Sequence, residues 1–367
     1  MGSFSCPPTP QDHLLEFLVS PAFAFGLGSG YDGHMATFAH SYAVMWIHTV
    51  VGSVTVVAGL MQFSDRIRQS RPELHRAIGK LFLAGSVVVS VSGAAYLLRT
   101  PAQQVFSGVA FAEVLWLLAI GTFTTAVLAL IAILRRDVTA HREYVAVLFA
   151  LICSAPMLRY GWLGVTAIWD TNKEMANLVE ISWLGPLLVT AAIIYTRPFG
   201  NGRDRGSSPL ATTQALQISA ALGGAGIAIL GVIALNTHWS MRAPIWFTGG
   251  WLPLVANFVL PFLLQTVVFA VLADRARRLG YAPAAVAWRT YLCGNFASPA
   301  VGVAFLWFTI AAYGVPLTQA WWTVPLGWNL ALFAAYVGHT ALTTRREMPP
   351  NGVVGVRAPQ QSVKAGS

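Results

Sequence analysis

HTVVGSVTVVAGLMQFSDRIRQSRPELHRAIGKLFLAGSVVVSVSGAAYLLR (48–99) decides the fold. One apolar run descends into a loop carrying Arg66, Arg68 and Arg71, and a second leaves it through Pro72 and the pair His75-Arg76. A bilayer core needs about 20 apolar residues per helix. Two such runs joined by a short basic loop predict a transmembrane helical hairpin.

Outward from this hairpin the pattern repeats. Windows of suitable length lie at 42–63, 79–98, 106–134, 143–166, 177–196, 214–236, 246–272, 286–313 and 321–343. The predicted fold is therefore all-α, a polytopic integral membrane protein of about nine transmembrane helices. A further apolar piece at 14–27 is too short to span and reads as interfacial or re-entrant. The composition agrees, with 56% hydrophobic and only 10% charged residues against about 25% charged in an average soluble domain.

Of the 23 lysines and arginines, 19 fall in 64–80, 134–144, 197–210, 273–290 and 344–367, and none in the first 41 residues. Those stretches alternate with poor ones, which predicts an outside N-terminus and a cytoplasmic C-terminus. The net charge of +9 is thus divided among separate loops rather than gathered on one face, and nucleic acid is excluded as a partner. The lipid bilayer is the partner that the composition specifies.

Cys6, Cys153 and Cys293 have no metal-site or disulfide spacing and read as structural thiols. The N-terminus lacks the basic region of a signal peptide, and Cys6 stands where myristoylation needs a hydroxyl. The loop RPFGNGRDRGSSPLATT (197–213) reads as a linker. It divides the chain into an extracytoplasmic segment (1–41), a five-helix module (42–196), the linker (197–213), a four-helix module (214–343) and a disordered cytoplasmic tail (344–367).

Within the first module the re-entry repeats: PELHRAIGKLF (72–82) and DVTAHREYVAVLF (137–149). Pro72 suits the opening of one helix, and Asp137 or Thr139 can cap the other. His75 and His141 thereby enter their helices at one cytoplasmic depth, with Arg76 and Arg142 placed to snorkel toward headgroups. A second polar layer lies toward the other side. At about 1.5 Å per residue, His48, Arg159 and Glu180 stand roughly 25 to 27 Å above the basic ends of their helices, and Glu113 roughly 30 Å. Ionisable residues in spans usually face the bundle interior and pair, so these four are expected to pair with one another.

The elements His48 with Gly52, Gly59, Gln62-Phe63, Leu74-His75-Arg76 with Gly79, and His141-Arg142 with Arg159 resemble a large family of predicted membrane proteins known as domain of unknown function 2306. The likeness covers about 40–160. Glu143 and Tyr144 stand where that family often has an aromatic and a methionine. The resemblance implies a family and, by itself, no activity.

Three functional readings follow from the two layers. In the first, the protein is a membrane redox protein with b-type haem. His75 and His141 are then the metal ligands, Arg76 and Arg142 complete the cofactor-binding set by pairing with propionates, and His48 faces the outer side. Transmembrane ascorbate-dependent ferric reductases are built this way. The competing reading makes His75 and His141 polar boundary residues at the headgroups.

In the second reading, Glu113 or Glu180 is a buried acid of an isoprenoid or terpene cyclase or a lipid-modifying enzyme, with His48 and Arg159 in the same catalytic layer. Trp46, Trp116, Trp162 and Trp183 then offer π faces to a carbocation, although an aromatic belt places Trp there in any membrane protein. In the third, Pro253, Asn257, Pro261, Gln265, Asn295, Pro325 and His339 open the later helices for a transported small molecule. No inverted repeat supports it, and membrane helices tolerate such prolines. A quinone, an isoprenoid or another lipophilic small molecule is the partner these readings share. The chain has no Walker loop, dinucleotide turn, HExxH helix or catalytic Ser or Cys motif.

Overall fold

The computed structural model describes residues 40–168, 173–196, 211–241 and 251–344. The 14–27 segment, most of the 197–213 linker and nearly all of the 344–367 tail lie outside the described residues. Among the described residues there are nine helices of 21 residues or more and no strand. They are α1 (Tyr42–Gln62), α2 (Pro72–Arg99), α3 (Gly108–Leu134), α4 (Val138–Ile168), α5 (Lys173–Thr196), α6 (Thr213–Met241), α7 (Trp251–Arg278), α8 (Ala282–Tyr313) and α9 (Val324–Thr344). In lipid a spanning segment must satisfy its own backbone, and a helix does so completely.

Eight of the nine, α1 to α8, are long and apolar enough to cross a membrane. The exception, α9, covers nearly the ninth predicted window. It is less apolar because it is enclosed by protein: Leu326, Trp328, Leu332, Tyr336, His339 and Thr340 are all buried. Elsewhere the bundle shows large apolar side chains outward, such as Val57, Leu60, Leu222, Val267 and Val271. Small ones lie inside, among them Ala126, Ala129 and Ala132 on α3. This suits a surface solvated by acyl chains.

Several helices begin below their apolar windows, at the end where the basic loops gather, here called the basic end. Pro72 occupies the first turn of α2, and the Asp137 carboxylate accepts the Ala140 amide at 2.9 Å, as the sequence predicts. The α1–α2 loop forms a short helix, Asp65–Ser70, whose Ser64 hydroxyl accepts the Ile67 amide. Gly280 and Gly314 adopt φ +76° and +62°, values that favour glycine, and let the chain turn after α7 and after α8.

Consecutive helices α1 to α5 pack on one another in chain order, while α6, α7 and α9 all pack on α8. At the α8–α9 contact Gly294, Ser298 and Gly302 recur every fourth residue, facing Gly327, Ala331 and Ala335. This spacing lets helix backbones touch. The α9 helix also reaches α5 and α4. One buried cluster joins Val109 of α3, Leu158 of α4 and Val179 of α5 to Leu306 of α8 and Trp328 of α9.

Candidate functional site

His75 and His141 are each the fourth residue of their helices, α2 and α4, and lie within electrostatic reach of each other. The His141 Nδ1 is 2.9 Å from the Ala129 carbonyl of α3. A carbonyl only accepts, so Nδ1 carries a hydrogen, which in a neutral imidazole leaves Nε2 as the lone-pair nitrogen. His75 Nδ1 is buried and has no hydrogen-bond partner, while the His75 carbonyl accepts from Gln62 Nε2 at 3.3 Å.

Glycines make this arrangement possible. A Cβ at Gly79 would lie 3.1 Å from Gln62 Oε1, and one at Gly59 would lie 2.5 Å from Phe149 and 2.8 Å from Phe82. Phe82 and Phe149 therefore close the bundle core, about two turns deeper than the histidines. Arg142 is exposed. Arg76 is exposed as well, 4.0 Å from Glu73.

Toward the far end the expected grouping of His48, Glu113, Arg159 and Glu180 is corrected. Among the described residues none of the four hydrogen-bonds or ion-pairs with another: His48, Glu113 and Arg159 meet other groups, and Glu180 packs against Gly161. His48 Nδ1 lies 3.0 Å from both the Val89 carbonyl and the Ser92 hydroxyl of α2. Glu113 Oε1 accepts from Thr309 of α8 at 2.8 Å, and Thr309 lies 3.2 Å from Thr323. The Arg159 guanidinium sits over the Trp162 ring, 5.7 Å from its centroid, and acts on His48 only through space.

Glu180 is 8% exposed, and its Oε2 has no hydrogen-bond partner. Its carboxyl occupies the space that a Cβ would take at Gly161 of α4. Close by, Trp162 Nε1 donates to Asn177 at 3.2 Å, and Asn177 Nδ2 donates to Ser107 at 3.0 Å. The four tryptophans do not share one environment. Trp46 is 54% exposed, Trp162 lies beneath Arg159, and Trp116 packs against the cluster of Tyr96, Leu97, Val105 and Ala112.

Two buried ionisable residues go beyond the two predicted layers. Glu143 is 5% exposed and accepts from Thr340 of α9 at 2.8 Å. The sequence window for this span starts at residue 143, so the residue reads as a boundary. Only the earlier helix start and the packing of α9 enclose it. His339 is 1% exposed, its ring edge-on to Tyr291 at 5.7 Å. Cys153 and Cys293 are free thiols. Among the described residues no three His, Cys, Asp or Glu side chains converge to hold a metal ion.

Eight long apolar helices around interhelical hydrogen bonds define the class: an integral, multi-pass membrane protein. Residues 45–194 match the family described as Predicted membrane protein (DUF2306). The likeness carried by His48 and the His-Arg pairs therefore holds, and it extends through almost all of α5. No curated protein and no solved structure matches the chain.

Proposed function

We propose that the protein is a membrane redox protein that binds b-type haem through His75 and His141. The observation that supports this most is the state of the two imidazoles. An axial histidine needs one nitrogen as a lone-pair donor and the other N–H held by an oxygen acceptor. Ala129 holds His141 in that tautomer. His75 lies within its electrostatic reach and keeps a buried ring nitrogen with no hydrogen-bond partner. A purely interfacial histidine would instead turn its ring nitrogens to water or phosphate.

Arg76 and Arg142 are exposed at the same end, where they can meet propionates without disturbing the core. Haem, when bound, supplies one-electron transfer. The chain's part is to fix the imidazoles, and Phe82 and Phe149 exclude water on the deeper side. The test is a reduced-minus-oxidised spectrum of detergent-purified protein from haem-replete cells. A b-type α-band is expected, and it should vanish in the His75→Ala, His141→Ala double variant. No band, or a band that survives the double substitution, overturns the reading.

A second reading is favoured by the buried Glu180 oxygen: acid catalysis on an isoprenoid or other lipid-soluble substrate. A carboxylic acid enclosed among apolar side chains is a group that such chemistry can use as its proton donor. Glu180→Gln preserves the shape and removes the acid. If membranes carrying this variant turn over prenyl substrates as wild type does, Glu180 is not the acid.

A further inference from the structure

The second half of the chain carries a polar layer of its own. Gln265 of α7 and Asn295 of α8 are 1% and 0% exposed, and Asn329 of α9 is half-buried. Gln265 Nε2 donates to the Pro186 carbonyl at 3.1 Å and to Thr190 at 3.0 Å. Asn295 Nδ2 donates to the Phe262 carbonyl at 3.2 Å and to Thr266 at 2.8 Å. Asn329 Nδ2 donates to the Pro325 carbonyl at 3.3 Å.

Each amide therefore faces a carbonyl, which only accepts, and this fixes which end is NH2. The opposite ends, Gln265 Oε1, Asn295 Oδ1 and Asn329 Oδ1, are buried and have no hydrogen-bond partner. In an apolar interior an amide oxygen without a donor is unfavourable, because burial has removed its bonds to water. Three of them in one region are an unmet demand for donors.

Helical rise sets them at one depth. Counting from Arg278, Ala282 and Thr344 at the basic ends of their helices, the three residues stand about 20 to 22 Å up. They are also tied laterally. Asn295 bonds Thr266, the neighbour of Gln265, Gln265 holds α5 at Pro186 and Thr190, and Asn329 packs against Gly185. Leu187 and Leu264, next to Pro186 and Gln265, are exposed on the outer surface, so this depth adjoins the surrounding lipid.

We propose that this layer binds a lipid-soluble molecule that donates a hydroxyl hydrogen, such as a hydroquinone or a prenyl alcohol. Three neutral acceptors discriminate by chemistry. As acceptors they offer nothing to an anion or to the carbonyls of a quinone. A hydroxyl on an apolar body supplies the missing donor and keeps its remainder in lipid or among apolar side chains. The inference is independent of haem and gives α7, α8 and α9 a role with α5.

The experiment compares alcohols with their ethers. Detergent-purified protein is titrated by tryptophan fluorescence with decyl hydroquinone (held reduced by ascorbate), its dimethyl ether, farnesol and farnesyl methyl ether. One hydroxyl compound is expected to bind about tenfold more tightly than its own ether, the value of one hydrogen bond. Which pair shows the difference identifies the ligand type. The preference should disappear in the Gln265→Met, Asn295→Leu double variant. If that variant does not fold, the wild-type comparison decides alone. Equal binding of alcohol and ether in both pairs, no binding by either pair, or a preference that survives the folded double variant overturns the proposal. A missing haem spectrum would leave this titration unchanged.

Discussion

Glu180 and Gly161 show what one residue pair contributes. A Cβ at residue 161 would overlap the Glu180 carboxyl, so glycine at that position and a buried acid at 180 depend on each other. Gly161→Ala is expected to destabilise the protein by about 1–3 kcal/mol, the usual cost of overpacking. In a Glu180→Ala background the same substitution should cost much less, because the atoms it strikes are gone. A double-mutant cycle on unfolding in micelles measures the difference. Equal costs in both backgrounds would mean that the carboxyl moves aside freely. The sequence reveals Glu180 at once, as an acid inside an apolar span. It does not reveal Gly161 as its partner, because that depends on how α4 and α5 cross. His141 is similar: its depth is legible from the His-Arg repeat, but its tautomer is set by a carbonyl of α3 that no motif marks.

At the scale of elements, the contact between α8 and α9 is made by small residues, and their tolerances differ sharply. A Cβ at Gly327 would run into the backbone of Gly302 and Ser298, whereas one at Gly338 on the same helix meets nothing within 4 Å. Backbone cannot swing aside as a side-chain end can. Gly327→Ala should therefore lower stability by about 1–3 kcal/mol, and Gly338→Ala should leave it unchanged or raise it by up to about 1 kcal/mol. Melting temperatures of the two variants, read by tryptophan fluorescence, test the contrast, and a reversed order would contradict the packing. The positions of all nine helices are legible from apolar windows and basic loops, since α1 to α8 must face lipid and the more enclosed α9 still keeps a largely apolar run. Their starts are less so: α2 and α4 begin several residues below their windows, because a helix continues through the headgroup region where hydropathy has already fallen.

On the scale of the whole molecule, the halves are joined at both ends by one chemical device. Glu113 of α3 accepts from Thr309 of α8, and near the basic end Glu143 of α4 accepts from Thr340 of α9. Interhelical hydrogen bonds in membranes average about 0.6 kcal/mol and reach about 1.7 kcal/mol. Thr309→Val and Thr340→Val should each cost about that much, and because the sites are distant the costs should add. Unfolding titrations of the two single variants and the double variant measure this, and marked non-additivity would show that the two ends communicate.

Orientation is a separate matter, and it turns on α9. With 19 of 23 lysines and arginines in five alternate stretches between the apolar windows, the basic end is expected to face the cytoplasm. Nine crossings then place the N-terminus outside and the C-terminus inside, whereas eight would place both outside. Only α1 to α8 qualify on hydropathy, but protein rather than lipid surrounds α9, and its length of 21 residues gives about 31 Å, enough to span. A C-terminal green fluorescent protein fusion expressed in bacteria should therefore fluoresce, and the matching alkaline phosphatase fusion should be inactive. An active phosphatase would mean that α9 does not cross, and the Thr340–Glu143 contact would then need another explanation.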